Sequence, residues 1–121
     1  MRNPWFGIGS LLVAIGIGAG ALGAHSLRST LESRSLELWT TAARYLDLSG
    51  LGLLAIGLAA DRRPRRGWGI AGTLVLVGSL LFSGTVGALA LAAPRWLGAV
   101  TPIGGVLLIA GYVILGLAAL R

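Results

Sequence analysis

Cysteine and lysine are both absent from these 121 residues, and acidic side chains number only four. Without cysteine there is no disulfide framework, no thiolate nucleophile and no sulfur-rich metal site. The single histidine, His25, cannot build a metal site alone, and no carboxylate cluster joins it at ligand spacing. No nucleophile–base pair, pair of catalytic carboxylates or phosphate-binding loop stands out, so neither an enzyme nor a cofactor is expected. Charged residues make up 12% of the chain, against about 25% in water-soluble domains. All ten cations are arginines, and the net charge is +6. A nucleic-acid binder would gather them on one face of a soluble element. Here they lie in connections and at the termini, so nucleic acid is not the expected partner.

What the chain has in abundance is apolar sequence, with 55% hydrophobic residues and a mean hydropathy of +0.85. A bilayer core of about 30 Å needs about 20 helical residues. Four runs meet that length, at about residues 5–24, 40–60, 68–93 and 101–120. The expectation is one all-α domain, an integral-membrane four-helix bundle over residues 1–121. The first run is too long for a usual signal-peptide core, and Leu22 occupies a position where cleavage after Ala24 would want a small residue. Retention of that run is therefore expected. Thr101 and Pro102 read as the N-cap and first residue of the last helix.

Residues 61–67 hold four of the ten arginines between two apolar runs. A short basic loop in that setting marks the cytoplasmic side. Both termini then lie inside, with Arg2, Arg62, Arg63, Arg65, Arg66 and Arg121 facing the cytoplasm. Arg28, Arg34, Arg44 and Arg95 fall on the outer half. Trp5 and Trp68 mark the inner interface, and Trp39 and Trp96 the outer one. The arginines are expected to meet anionic lipid head groups. Residues 26–38 form the one long polar connection. They read as a short amphipathic segment between helices 1 and 2, as an outward extension of the second span, or as a solvated loop with some helix.

Twenty glycines argue for close helix approach, because apolar side chains gain little by leaving lipid for protein. Gly16, Gly20 and Ala24 form one candidate ridge, and Gly84, Ala88 and Ala92 another. The ridges serve packing within one bundle or against a second chain. Residues 18–23 match the G-x-G-x-x-G dinucleotide fingerprint in letters only. That fingerprint needs a preceding strand and an opening helix, and this stretch lies inside an apolar helix.

The second span carries the candidate polar site. Glu37, Thr40, Thr41, Arg44 and Asp47 follow steps of three and four, with Tyr45 and Ser49 close by. They form either a polar site facing the bundle interior or an interfacial arginine snorkelling outward with Asp47 as its counter-ion. Asp47 stands three residues after Arg44 and is placed to pair with it. His25 sits at the end of the first span, where it caps the helix, bonds to the second span or titrates. Ser83 and Thr85 are placed to bond between helices.

The blocks Gly20-Ala21-Leu22-Gly23-Ala24-His25, Arg44-Tyr45, Leu81-Phe82-Ser83-Gly84, Arg95-Trp96-Leu97-Gly98 and Thr101-Pro102-Ile103-Gly104-Gly105 occur in that order. The chain thereby resembles the YgdD/YwdK-like bacterial membrane proteins, domain of unknown function 423, and animal transmembrane protein 256 is similar. The resemblance covers nearly the whole chain, and its last block is the most specific. It implies four membrane helices and no assigned reaction. It groups His25, Arg44 and the turn of Thr101, Pro102, Gly104 and Gly105 as one shared feature. Two departures stand out. The family usually has a histidine where this chain has Ser49, and it is typically uncharged where this chain has Asp47. The first departure removes the partner that a two-histidine metal or haem site with His25 would need.

Two functions are therefore expected in order. The first is a structural or accessory membrane subunit that packs with itself or with a larger complex. The alternative is a small ion or solute transporter or channel with a polar site at His25, Arg44 and Asp47.

Overall fold

The computed structural model describes residues 4–120. Arg2 and Arg121, counted above on the inner side, lie outside the described residues. The chain forms α1 (Trp5–His25), α2 (Ser33–Arg62), α3 (Arg66–Ala90) and α4 (Thr101–Leu120), with 3₁₀ turns at Leu27–Ser29 and Arg95–Ala99. All four helices are long and apolar enough to cross a membrane. At 1.5 Å per residue even the 20-residue α4 reaches about 30 Å, one hydrocarbon thickness.

Each helix packs mainly on its neighbour in sequence: α1 on α2, α2 on α3, and α3 on α4. The two middle helices therefore supply the deepest core, where Leu53, Ile56, Ala71 and Val75 have no exposed surface. The outer helices present apolar stripes outward. On α4 these are Ile103, Val106, Ile109, Val113, Leu117 and Leu120, all more than half exposed. A continuous face of that kind is unfavourable in water and requires a covering solvent of its own kind. Lipid supplies it.

Local chemistry sets the ends. Pro64 restricts the residue before it to extended backbone, and Arg63 adopts φ −141°, ψ 92° there, which closes α2. α3 ends in a left-handed residue, Ala92, at φ 70°. The Ala93 N–H then reaches back to the Ala88 carbonyl at 3.0 Å, and Pro94 prevents continuation. Ala92 is exposed and bears a Cβ in a region that disfavours one. Ala92→Gly is therefore expected to stabilise the fold by about 1 kcal/mol. Thermal unfolding of the detergent-solubilised protein checks it.

Several boundaries differ from the sequence expectation. α2 starts at Ser33, not near residue 40, so residues 33–38 of the polar connection form the outward extension of α2. Only the Leu27–Ser29 turn and a few flanking residues stay outside the helices. A hydropathy window cannot see those first turns, because a polar helix above the membrane has no apolar signal. α3 runs from Arg66 to Ala90, ending before residue 93, because the left-handed Ala92 stops it ahead of Pro94. Thr101 is already helical, and its hydroxyl bonds to the Leu97 carbonyl at 3.3 Å and shares a 2.6 Å bond with Thr85.

Glycine sets the helix spacing. Gly9, Gly16 and Gly23 recur every seven residues on α1 and face Gly50, Ala43 and Trp39 on α2, while Gly57 of α2 faces Phe6 of α1. A Cβ on Gly9 would stand 2.5 Å from the Gly50 carbonyl oxygen, and one on Gly57 would stand 2.7 Å from the Phe6 nitrogen. The α3–α4 hairpin repeats the arrangement. A Cβ on Gly104 would lie 2.5 Å from the Phe82 nitrogen, and one on Gly78 would lie 2.7 Å from the Leu108 nitrogen. Such backbone approach is the main source of helix affinity in lipid. Of the expected ridges, only Gly16 lies on this seam. Gly20 and Gly84 have nothing within 4 Å of the Cβ position, Ala24 is exposed and Ala88 is half-buried.

Candidate functional site

The polar residues of α2 divide among its faces. Glu37, Thr40 and Arg44 are exposed. Together with Ser33, Leu36 and Thr41 they line an open groove on the outside of the bundle. This stripe follows the helix as its spacing requires, but it turns away from the core.

Asp47 leaves that stripe. Three residues turn a helix by about 300°, which carries Asp47 about 60° round from Arg44 and toward α1. Its carboxyl lies against Gly16, where a Cβ would collide with it. The Oδ1 atom is buried and has no hydrogen-bond partner. The expected Arg44–Asp47 ion pair does not form. Spacing alone predicts the pair, but the α1 interface captures one of its members.

Tyr45 belongs to the α2–α3 interface. The Tyr45 ring meets Phe82 at a centroid distance of 4.7 Å, tilted by 48°. Ser49 is fully buried with no partner for its hydroxyl, and Ser83 on α3 is in the same state. Thr85 makes the interhelical bond expected of it, to Thr101, while Ser83 does not.

His25 is the exposed last residue of α1. Gly23 packs on Trp39, so His25 lies beyond the level of Trp39. Asp47 meets α1 at Gly16, nine residues earlier, or about 13 Å along the axis. The structure therefore does not gather His25, Arg44 and Asp47 into one pocket. Among the described residues no group of three or more His, Cys, Asp or Glu is placed to hold a metal. Thr101 and Gly104, with Pro102 between them, tie α4 to α3 through Thr85 and Gly78, and Gly105 touches Phe82.

Several ties were not legible beforehand. The Trp39 indole donates to the Ala19 carbonyl at 2.7 Å and joins α2 to α1. The Tyr112 hydroxyl donates to the Leu48 carbonyl at 2.6 Å and seats over Gly52, joining α4 to α2. Arg65 donates to the Ala118 carbonyl at 3.1 Å, near the C-terminal end of α4. Each acceptor is a backbone carbonyl, present at every residue, so no side-chain pattern could point to it. Interhelical bonds in membranes average about 0.6 kcal/mol. Tyr112→Phe is expected to cost that order of stability and no more, as read from the unfolding midpoint in detergent.

Comparison with known proteins bears on the same residues. A family described as a protein of unknown function, DUF423, matches residues 19–105. A UPF0382 membrane protein of Staphylococcus epidermidis is 42% identical over 115 residues, covering 94% of this chain and 93% of its own. A UPF0382 membrane protein of Staphylococcus saprophyticus is 41% identical over 109 residues, with 89% of each chain covered. The UPF0382 membrane protein YwdK of Bacillus subtilis is 33% identical over 115 residues, with 94% of each covered. No solved structure matches.

Proposed function

Because the chain belongs to the DUF423 family of UPF0382 membrane proteins, we propose that it acts as a small structural or accessory subunit of a bacterial cytoplasmic membrane, associating with itself or with a larger complex. One observation carries this reading. The polar stripe of Glu37, Thr40 and Arg44 faces out of the bundle and is not enclosed within it. A stripe so placed suits a partner helix or the head-group layer better than a conduction path through one chain. The outward-facing Gly20 and Gly84 add positions where a second backbone fits closely. Native mass analysis after extraction in mild detergent tests it. A complex that Arg44→Ala weakens is the expected result, and a strictly monomeric particle without partners would sink the reading.

Orientation belongs to the same proposal. The arginine-dense connection at residues 61–67 and both termini lie in the cytoplasm. The natural absence of cysteine makes this direct to test. A cysteine placed at Pro64 should resist impermeant thiol reagents in intact cells, while one at Ser29 should label.

The unpartnered Asp47 carboxyl supports a second reading, a transporter or channel for an ion or solute. Flux into liposomes carrying the wild type or Arg44→Ala decides it, and no flux for any tested ion or solute counts against it.

A further inference from the structure

The end of the bundle where α2 turns into α3 carries Arg62, Arg63 and Arg66 on its exposed surface. Asp61 is the one acidic residue of that connection. Beside Arg66 an open furrow is lined by Trp5, Gly69, Ile70, Thr73 and Leu74, and its wall is almost wholly apolar. The Thr73 hydroxyl donates to the Gly69 carbonyl at 2.8 Å, so its proton is spent inside the helix. Trp5 packs on Gly72, and Gly69 has nothing within 4 Å of its Cβ position. The furrow is therefore bounded by an indole and deepened by a missing side chain. A second hollow, lined in part by Trp5, Asp61, Pro64 and Trp68, shares Trp5 and Gly69 with it. The hollow joins the furrow to the charged connection.

Cationic groups above an apolar furrow match one kind of molecule in a bilayer, an amphiphile with an anionic head. We propose that this furrow binds an anionic phospholipid, with one acyl chain along Ile70, Thr73 and Leu74 and the phosphate held by Arg66, assisted by Arg62 and Arg63. Guanidinium groups suit phosphate oxygens because their donors are planar and paired. Neutral phospholipid also carries a phosphate but adds its own cation, which the three arginines disfavour. The site is therefore selective for head-group charge as well as for the chain. It does not depend on whether the protein self-associates.

The test titrates the purified full-length chain in neutral detergent with phosphatidylglycerol, phosphatidylcholine or water-soluble glycerol phosphate. Native mass spectrometry and tryptophan quenching by acyl-brominated lipid provide the readouts. Phosphatidylglycerol should bind in preference to phosphatidylcholine and quench fluorescence, and Trp5→Phe should remove part of that quenching. Arg66→Gln should weaken phosphatidylglycerol about fivefold, the effect of one cation near an anionic surface. Gly69→Leu fills the furrow where the structure has room, and should reduce binding of the lipid. Arg34→Gln, at the other end of the bundle, should leave binding unchanged. Equal binding of both phospholipids would overturn the proposal, as would affinity insensitive to Arg66→Gln. Equal competition by glycerol phosphate would reassign the site to free phosphate. Arg66→Gln lies on the exposed surface, so it decides the matter even if Gly69→Leu loses its fold.

Discussion

A leucine at Gly104 should pull α4 off α3 and lower stability by about 3 kcal/mol or more, at the upper end for overpacking. The reason is the identity of what the new side chain meets. The Cβ would stand 2.5 Å from the Phe82 nitrogen and 2.8 Å from the Gly78 carbonyl oxygen. Both are backbone atoms, which cannot swing aside as a side-chain tip can. Relief requires the two helices to separate, and separation forfeits the packing that holds them in lipid. Gly9→Leu should act alike on the α1–α2 hairpin, where the obstacles are the Gly50 carbonyl and the Leu54 nitrogen. Gly20→Leu and Gly84→Leu provide the contrast, because both Cβ positions are open. They should shift stability by less than about 0.5 kcal/mol. Unfolding midpoints in detergent, read for the four variants together, check the pattern. Equal losses at all four positions would mean that close approach within this bundle is not what distinguishes these glycines, because leucine is the better helix former at every one of them.

The same contrast explains how far the sequence could be read. Four helices were legible because apolar runs of bilayer length carry a strong signal, and the punctuation at Pro64 and Pro94 divides them. The seam was not legible. α1 alone offers Gly7, Gly9, Gly16, Gly18, Gly20 and Gly23, enough to draw several stripes. Gly20 lies about 40° round the helix from Gly16, and Gly23 about 20° the other way, so small angles decide which stripe is buried. Only the position of α2 makes that choice. The polar residues of α2 divide for the same reason. Spacing aligns Glu37, Thr40 and Arg44, but Asp47 sits at the edge of that arc, and the α1 interface claims it. Family resemblance groups His25 with Arg44, but a resemblance carries shared residues without their distances.

Asp47→Ala should stabilise the protein by about 1–3 kcal/mol, although it removes a side chain from an interface. An aspartate near the centre of a membrane helix costs about 2.5–3.5 kcal/mol on insertion scales. A partner could offset that cost, but Oδ1 is buried without one and Arg44 points elsewhere. Alanine removes the desolvation penalty and loses few contacts, because the facing residue is Gly16, which has no side chain to lose. The prediction is sharpened by coupling the two positions. Gly16→Ala should destabilise the wild type, since its new methyl runs into the Asp47 carboxyl. With Asp47→Ala already present the strongest obstacle is gone, and the Ala43 carbonyl oxygen at 3.0 Å becomes the main remaining contact. The cost of Gly16→Ala should then fall by 1 kcal/mol or so, a coupling that a double-mutant cycle reads directly. If Asp47→Ala lowers stability instead, the carboxyl has a counterpart in the membrane, such as a bound cation or a residue of another chain. That outcome would shift weight from the structural subunit to the transporter. Stabilisation accompanied by normal assembly would leave the carboxyl as a tolerated cost of the α1–α2 seam.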